Sequence, residues 1–455
     1  MKFNHLIALA KGFFSNGSQR TLRAKKNITI SFLTKGLSIL ISFLIVPITL
    51  GYVGKVEYGI WMTISSIIGW FAFFDIGLGN GLRNKLAEAL AKDDKETAKI
   101  YISSAFALIT GMSALMFLGF FIAANFISWN AVLNTNLVSN QELFKIVVVV
   151  FFFFCIGFIM KVLSAILQAM QRYAINDILG VIAQFLGLVA IYILVKTTDG
   201  SLFNLCLVYG SNSAIVLLIA SFFLFSKSLK EFSPRFQNIN LRKAIPLLNL
   251  GMWFFFGQIL YLVINQTSII LVVQFFGPED VTVYNLAFRY MSIISMLYMM
   301  VLTPFLSAFT EAYTKGEFNW IKATMKRINY IWIISSIGTI VLIFGYRLFF
   351  KIWIDNQIHI PVLLIISLGI LSIINTFSST FTLFLNAVGK IRLQIYINVI
   401  QAISFFPLSY LFYKLNFGLP SLVIPNIIFF ISGSIIFYIQ YSKIINQKAN
   451  GIWIK

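Results

Sequence analysis

The chain has 455 residues, 59% of them hydrophobic and only 11% charged, with a formal charge of +20. Ordinary soluble domains carry roughly 25% charged residues, so this composition excludes a soluble globular protein and reads as a polytopic membrane protein. Cys155 and Cys206 lie inside apolar runs, and His5 and His359 stand at opposite ends of the chain, which leaves no pattern for a structural metal site or a disulfide framework.

Residues 1–27 are basic and lack a short apolar core followed by a small-residue cleavage site, so they read as an uncleaved cytosolic arm. Apolar segments then fall near 28–52, 58–80, 101–127, 144–169, 174–195 and 202–226. A second set follows near 245–276, 281–307, 328–350, 360–387, 392–413 and 419–441. A bilayer core of about 30 Å needs ~20 helical residues, so the expected fold is all-α with about 12 transmembrane helices. The expected domains are a cytosolic arm at 1–27, a six-helix bundle at 28–226, a cytosolic linker at 227–244, a second six-helix bundle at 245–441, and a cytosolic tail at 442–455.

Lys and Arg distribute unevenly over this topology. Of the 35, the arm, the tail and the loops after even-numbered spans hold 26, the alternate loops hold six, and three lie within spans. The positive-inside rule then places both termini in the cytoplasm, and it explains the +20 without nucleic acid.

The first span carries a polar stripe. Ser31, Lys35, Ser38, Ser42 and Thr49 recur at helical spacing, and a lysine inside a membrane segment costs enough that it normally faces a bundle interior or an aqueous cavity. Hydrogen bonding to neighbouring helices and snorkelling of Lys35 are the competing explanations. A shift of 223 residues superposes Gly54 on Gly277, Glu88-Ala89 on Glu311-Ala312 and Lys92 on Lys315. Farther on, a shift of 218 superposes Leu167-Gln168-Ala169 on Leu385-Asn386-Ala387 and Arg172 on Lys390. Six spans per half is even, so the two bundles are expected to be pseudo-symmetric, similarly oriented and arranged around a central cavity. The same shift places Lys35, Ser38 and Ser42 on Gln258, Tyr261 and Asn265, which makes Ser42, Gln258, Tyr261 and Asn265 candidate substrate contacts.

Three ionisable groups within spans stand out besides Lys35. Arg289 has the planar fork that suits bidentate phosphate binding. Lys161 has no polar stripe around it and reads as a headgroup contact or a snorkelling side chain. Asp75, in the run DIGLGNGL at 75–82, is the candidate for H+ or Na+ coupling, with local pairing to Arg83 or Lys35 as the alternative. The glycines at 77, 79 and 81 lack the flanking strand and soluble helix of a nucleotide-binding loop. The 82–99 segment reads as a short amphipathic cytosolic helix with Leu82, Leu86 and Leu90 on one side, and its counterpart lies near 306–322. Pro47, Pro304, Pro407 and Pro425 are expected to interrupt spans.

Tyr52-Val53-Gly54, Glu57-Tyr58-Gly59-Ile60-Trp61, the DIGLGNGL run, Tyr284 with Ala287 and Arg289, and Asn386-Ala387-Val388-Gly389-Lys390 together resemble a known family. It is the Wzx-type oligosaccharide-lipid flippases of the multidrug, oligosaccharidyl-lipid and polysaccharide exporter superfamily. The resemblance implies two six-helix bundles around a cavity in a bacterial inner membrane. It also implies transfer of an undecaprenyl-diphosphate-linked oligosaccharide to the periplasmic leaflet for O-antigen or other polysaccharide synthesis, with Lys35 and Arg289 placed to meet the diphosphate. A polysaccharide polymerase and its chain-length machinery are the partners it implies, beside membrane lipid, and no cofactor is expected. A cation-coupled drug antiporter of the same superfamily is the alternative. A membrane glycosyltransferase or polymerase fits less well, because the longest outer loop, about 127–143, has Glu142 as its one ionisable residue.

Overall fold

Within a bilayer every backbone N–H and C=O must find its partner inside the protein, and long apolar runs answer this by forming helices. A computed structural model of the chain describes residues 19–72, 78–242, 259, 266–355 and 358–454. Among the described residues the regular structure is helical throughout, with no strand.

Ten of the described helices are long and apolar enough to cross a membrane. The first, Gln19–Trp70, holds two of the expected spans: its apolar part alone has 39 residues, about 58 Å at helical rise, which is nearly twice a bilayer core. The division comes at Gly54, whose φ of 76° and ψ of 175° are not helical. The part of the expected seventh span that is described is the shorter apolar helix Gln266–Phe276. Most of the remaining spans lie within a few residues of the expected positions, for example Asn140–Ala169, Leu202–Ser226 and Arg392–Lys414, whereas Lys95–Ala124 starts six residues and Phe318–Ile354 ten residues before the expected 101 and 328.

The 82–99 segment is not one helix. Helix Leu78–Ala91 ends, Asp93 takes a left-handed conformation with φ of 56°, and Asp94 caps the next helix, Lys95–Ala124, by accepting the Thr97 N–H at 3.0 Å. Leu82 and Leu86 are buried, as amphipathic patterning requires. Pro304 separates helix Pro278–Leu302 from the short helix Phe305–Thr314, and Pro425 sits in the first turn of Ile424–Ile445, where its missing N–H costs nothing. Pro47 and Pro407 lie inside continuous helices.

Contacts group the described residues into two compact units. The first takes residues up to Gly54, then Phe71–Asn130 and 136–242; the second takes Lys55–Trp70, Ala131–Thr135 and the residues from 259 onward. Segment Lys55–Trp70 is held within the second unit by close contacts. The Thr282 hydroxyl donates to the Lys55 carbonyl, Lys55 pairs with Glu279, and Ser66 donates to the Gln266 carbonyl at 2.9 Å. Gly59 lies so close to Pro278 that a Cβ there would fall 1.7 Å from the Pro278 carbonyl oxygen.

The internal repeat is written into the backbone. Left-handed residues recur at matching points: Gly54 and Gly277, Asp93 and Gly316, Asn134 and Asp355, Gln171 and Gly389. The helix-ending hydrogen bonds match as well. Asp94 N–H reaches Ala89 O at 3.0 Å and Glu317 N–H reaches Ala312 O at 2.8 Å; Arg172 N–H reaches Leu167 O at 2.7 Å and Lys390 N–H reaches Leu385 O at 2.9 Å. These six-to-one bonds satisfy carbonyls that a helix end otherwise leaves open. In each half the short helix packs into a cluster of the same kind. Leu78, Leu82 and Leu86 join Phe158 and Leu167 in the first, and Phe309 joins Tyr298, Phe384 and Ile444 in the second.

Candidate functional site

Two of the expected site cations are described within spans of different units. Lys35 is exposed in the first unit, and Arg289 is half-buried in the second, on helix Pro278–Leu302. The Ser292 hydroxyl donates to the Arg289 carbonyl at 2.9 Å. Ser42 is half-buried and donates to the Ile39 carbonyl at 2.7 Å. Thr49, at the end of the same stripe, is buried and bonded to the Tyr209 hydroxyl at 3.0 Å. Lys161 is exposed, with its ammonium 6.0 Å from the Phe158 ring centre. Asp75, Gln258, Tyr261 and Asn265 lie outside the described residues.

Within the second unit, five helices enclose a cavity of about 580 Å³, inside the range of ~300–1,000 Å³ typical of small-molecule sites. Gln266 and Ser268 line it from helix Gln266–Phe276, and Tyr284, Asn285 and Phe288 from Pro278–Leu302. Asn375, Ser378, Ser379 and Thr382 come from Val362–Ala387, Gln394, Asn398 and Gln401 from Arg392–Lys414, and Asn426, Phe430 and Phe437 from Ile424–Ile445. None of these lining residues is Asp, Glu, Lys, Arg or His. Seven carboxamides in one membrane-embedded cavity need either one another or a polar occupant, because an unmade hydrogen bond in an apolar surrounding costs about 1–3 kcal/mol.

The wall shows both solutions. Gln401 donates to Asn426 at 3.0 Å, deep in the wall where both are buried. Gln266 is fixed by Ser66, whose hydroxyl lies 3.0 Å from its side-chain oxygen, and by the approach of Gly69, where a Cβ would meet its amide nitrogen at 2.7 Å. Tyr284 is hydrogen-bonded to Ser268. Ser379 and Thr382 return their hydroxyl protons to carbonyls of their own helix, at 2.8 Å and 3.3 Å, and so present oxygen lone pairs. The Oε1 of Gln394, by contrast, is buried without a hydrogen-bond partner among the described residues. A wall of amide donors and acceptors, hydroxyl oxygens and aromatic faces, without formal charge, suits a hydroxyl-rich neutral molecule.

Most of this cavity has no charged residue to mark it in the sequence, although it carries polar stripes of the same kind as the first span. Gln394, Asn398 and Gln401 are spaced i, i+4, i+7, and Asn375, Ser379 and Thr382 are spaced i, i+4, i+7 on the neighbouring span.

A family model described as polysaccharide biosynthesis protein matches residues 24–310. A provisionally named O-antigen export protein of Yersinia pseudotuberculosis is 24% identical over 364 residues, covering 78% of this chain and 81% of that one. A provisionally named O-antigen transporter of Salmonella typhi is 25% identical over 330 residues, covering 70% and 72%. Among solved structures, a multidrug resistance transporter of the MATE family and MOP superfamily in an inward-facing conformation matches with a TM-score of 0.68 at 16% identity, over 92% of this chain and 95% of that one. An outward-facing structure of such a transporter matches with a TM-score of 0.63 at 13% identity, over 94% and 95%. At these identities the structures speak for the fold, a two-lobed all-α membrane architecture. The chain belongs to the polysaccharide biosynthesis protein family.

Proposed function

We propose that this multi-pass membrane protein is a flippase for lipid-linked oligosaccharides, carrying an undecaprenyl-diphosphate-linked repeat unit from the cytoplasmic to the outer leaflet of a bacterial inner membrane. The observation that carries the reading is the carboxamide-rich cavity inside the second unit, whose described lining carries no charged side chain. A hydrocarbon tail needs no such wall, and a cationic drug is better served by carboxylates, whereas sugar hydroxyls pair with amides and stack on aromatic rings. The relatives named for O-antigen export support the same substrate class.

In this scheme the two bundles at 28–226 and 245–441 act as the halves of an alternating-access transporter with both termini in the cytoplasm. Lys35 and Arg289 meet the diphosphate, with Ser42, Gln258, Tyr261 and Asn265 beside them and Lys161 against lipid headgroups. Direction comes from an H+ or Na+ gradient acting at Asp75, or from a downstream polymerase consuming the product.

Cells lacking the chain should accumulate the lipid-linked oligosaccharide where a lectin added to spheroplasts does not reach it. Wild-type protein should restore lectin access, and a Gln394→Leu, Asn398→Leu variant present at equal abundance should not. An unchanged leaflet distribution in cells lacking the chain would contradict the proposal.

A further inference from the structure

Beside the main cavity lies a smaller one of about 110 Å³, and the two share Phe288, Leu371 and Asn375 as wall residues. Its remaining lining is Met291, Ser292, Ser295, Leu368 and Ser372. On residue names this annex looks half polar, but most of its hydroxyl protons are committed within the wall. Ser295 and Ser372 hydrogen-bond to each other at 2.8 Å, and Ser292 donates to the carbonyl of its own helix at Arg289 at 2.9 Å. The annex therefore offers a mainly apolar surface of Met, Leu and Phe side chains, with one hydroxyl proton of the Ser295–Ser372 pair to spare and the Asn375 carboxamide at the junction with the polar cavity. A hydroxyl entering it would lose hydration for little return, whereas a methyl group would gain contact.

Resting on the reading of the main cavity as a sugar site, we propose that the paired cavities select a neutral sugar bearing one small apolar substituent, the methyl of an acetamido group or of a 6-deoxy sugar. The ring lies among the carboxamides and the substituent enters the annex. Asn375, on both walls, is then a specificity residue: its amide donates and accepts at the point where ring hydroxyls give way to the substituent. Among the described residues no cationic side chain lines either cavity, which argues against an acidic sugar at this position.

The test uses detergent-purified full-length protein and short polyprenyl-diphosphate probes carrying glucose, N-acetylglucosamine, 6-deoxyglucose or glucuronic acid, with sugar-free polyprenyl diphosphate as reference. At least one of the two substituted neutral probes should bind about tenfold tighter than the glucose probe, the discrimination a pocket achieves for a group of methyl size. The glucuronic acid probe should bind more weakly than glucose. Ser292→Leu, which fills the annex from a residue whose hydroxyl bonds only to its own helix, should bring the neutral probes to one affinity. Equal binding of substituted and unsubstituted probes by the wild type, binding of glucuronic acid as tight as glucose, or a preference that survives Ser292→Leu would overturn the inference while leaving the sugar site standing. If no sugar probe binds better than sugar-free polyprenyl diphosphate, the sugar site itself is wrong and the inference falls with it.

Discussion

The Gln401–Asn426 pair allows the structural and functional roles of the cavity wall to be separated. The two side chains are 4% and 8% exposed and share a 3.0 Å hydrogen bond. Asn426→Leu removes the acceptor and leaves the Gln401 amide buried beside apolar groups, at a cost of about 1–3 kcal/mol. Replacing both, with Gln401→Met and Asn426→Leu, removes the orphan along with the bond and should be nearly neutral for stability. With the double variant near neutral, the cycle should show a coupling at least as large as the cost of the Asn426→Leu single, about 1–3 kcal/mol, against an average of about 0.6 kcal/mol for interhelical hydrogen bonds in membrane proteins. The assay is reversible unfolding in mixed micelles for the wild type, both single variants and the double variant, with transport measured on the same preparations. Stability should return in the double variant while transport stays low, because the cavity has lost two carboxamides. A double variant as unstable as the sum of the singles would refute the hydrogen-bonded pair, and wild-type transport by it would refute the pair's role in binding.

Three further outcomes are expected. Gly59→Leu should abolish accumulation of folded protein, because its Cβ would collide with the Pro278 carbonyl, whereas Gly51→Ala, with nothing within 4 Å, should be tolerated; equal abundance of the two variants contradicts the packing. On the short helix Leu78–Ala91, hydrogen bonds from Lys85 and Lys92 hold the Glu88 carboxyl down to about 2, from an ordinary value of 4.5. A depressed carboxylate contributes stability that is fully present above its unfolded value and fades as pH falls through the folded one. Amide protection at the end of this helix should thus stay level from pH 7 to about 4.5 and decline below, and Glu88→Gln should flatten the profile; decline between pH 7 and 5 in the wild type contradicts this. Charge removal at both Lys35 and Arg289 should abolish transport without loss of folded protein, and Arg289→Lys should impair it by losing the bidentate fork. Normal flux in the Lys35→Ala, Arg289→Ala variant would show that these cations do not serve the diphosphate.

Much of the fold was readable because bilayer physics compresses the choices. Apolar length gave the spans, and the repeat was visible in pairs such as Lys92 with Lys315, which make equivalent i,i+4 ion pairs with Glu88 and Glu311. The left-handed turns were harder to foresee. Gly316 and Gly389 announce themselves, but their counterparts Asp93 and Gln171 adopt the same conformation without being glycine, because the helix-ending hydrogen bonds on either side compel it. The grouping of Lys55–Trp70 with the second unit has no sequence signature, since it rests on long-range contacts such as Thr282 with Lys55. The cavity was missed for a different reason. Charge is costly and rare in membranes and so stands out in the sequence, whereas Asn375, Gln394, Asn398 and Gln401 are neutral and scattered over two helices, and only packing shows that their stripes face one space.

The central claim is most directly tested in proteoliposomes containing only this chain, with a fluorescent undecaprenyl-diphosphate-linked oligosaccharide loaded in the inner leaflet and its appearance outside followed by glycosidase cleavage. Vesicles with the wild-type chain should expose the substrate well above the protein-free rate, and the Gln394→Leu, Asn398→Leu variant should lose at least about tenfold of that excess, the effect of roughly 1.4 kcal/mol of lost substrate interaction. Exposure at the protein-free rate with the wild-type chain, or full translocation by the cavity variant, would contradict it.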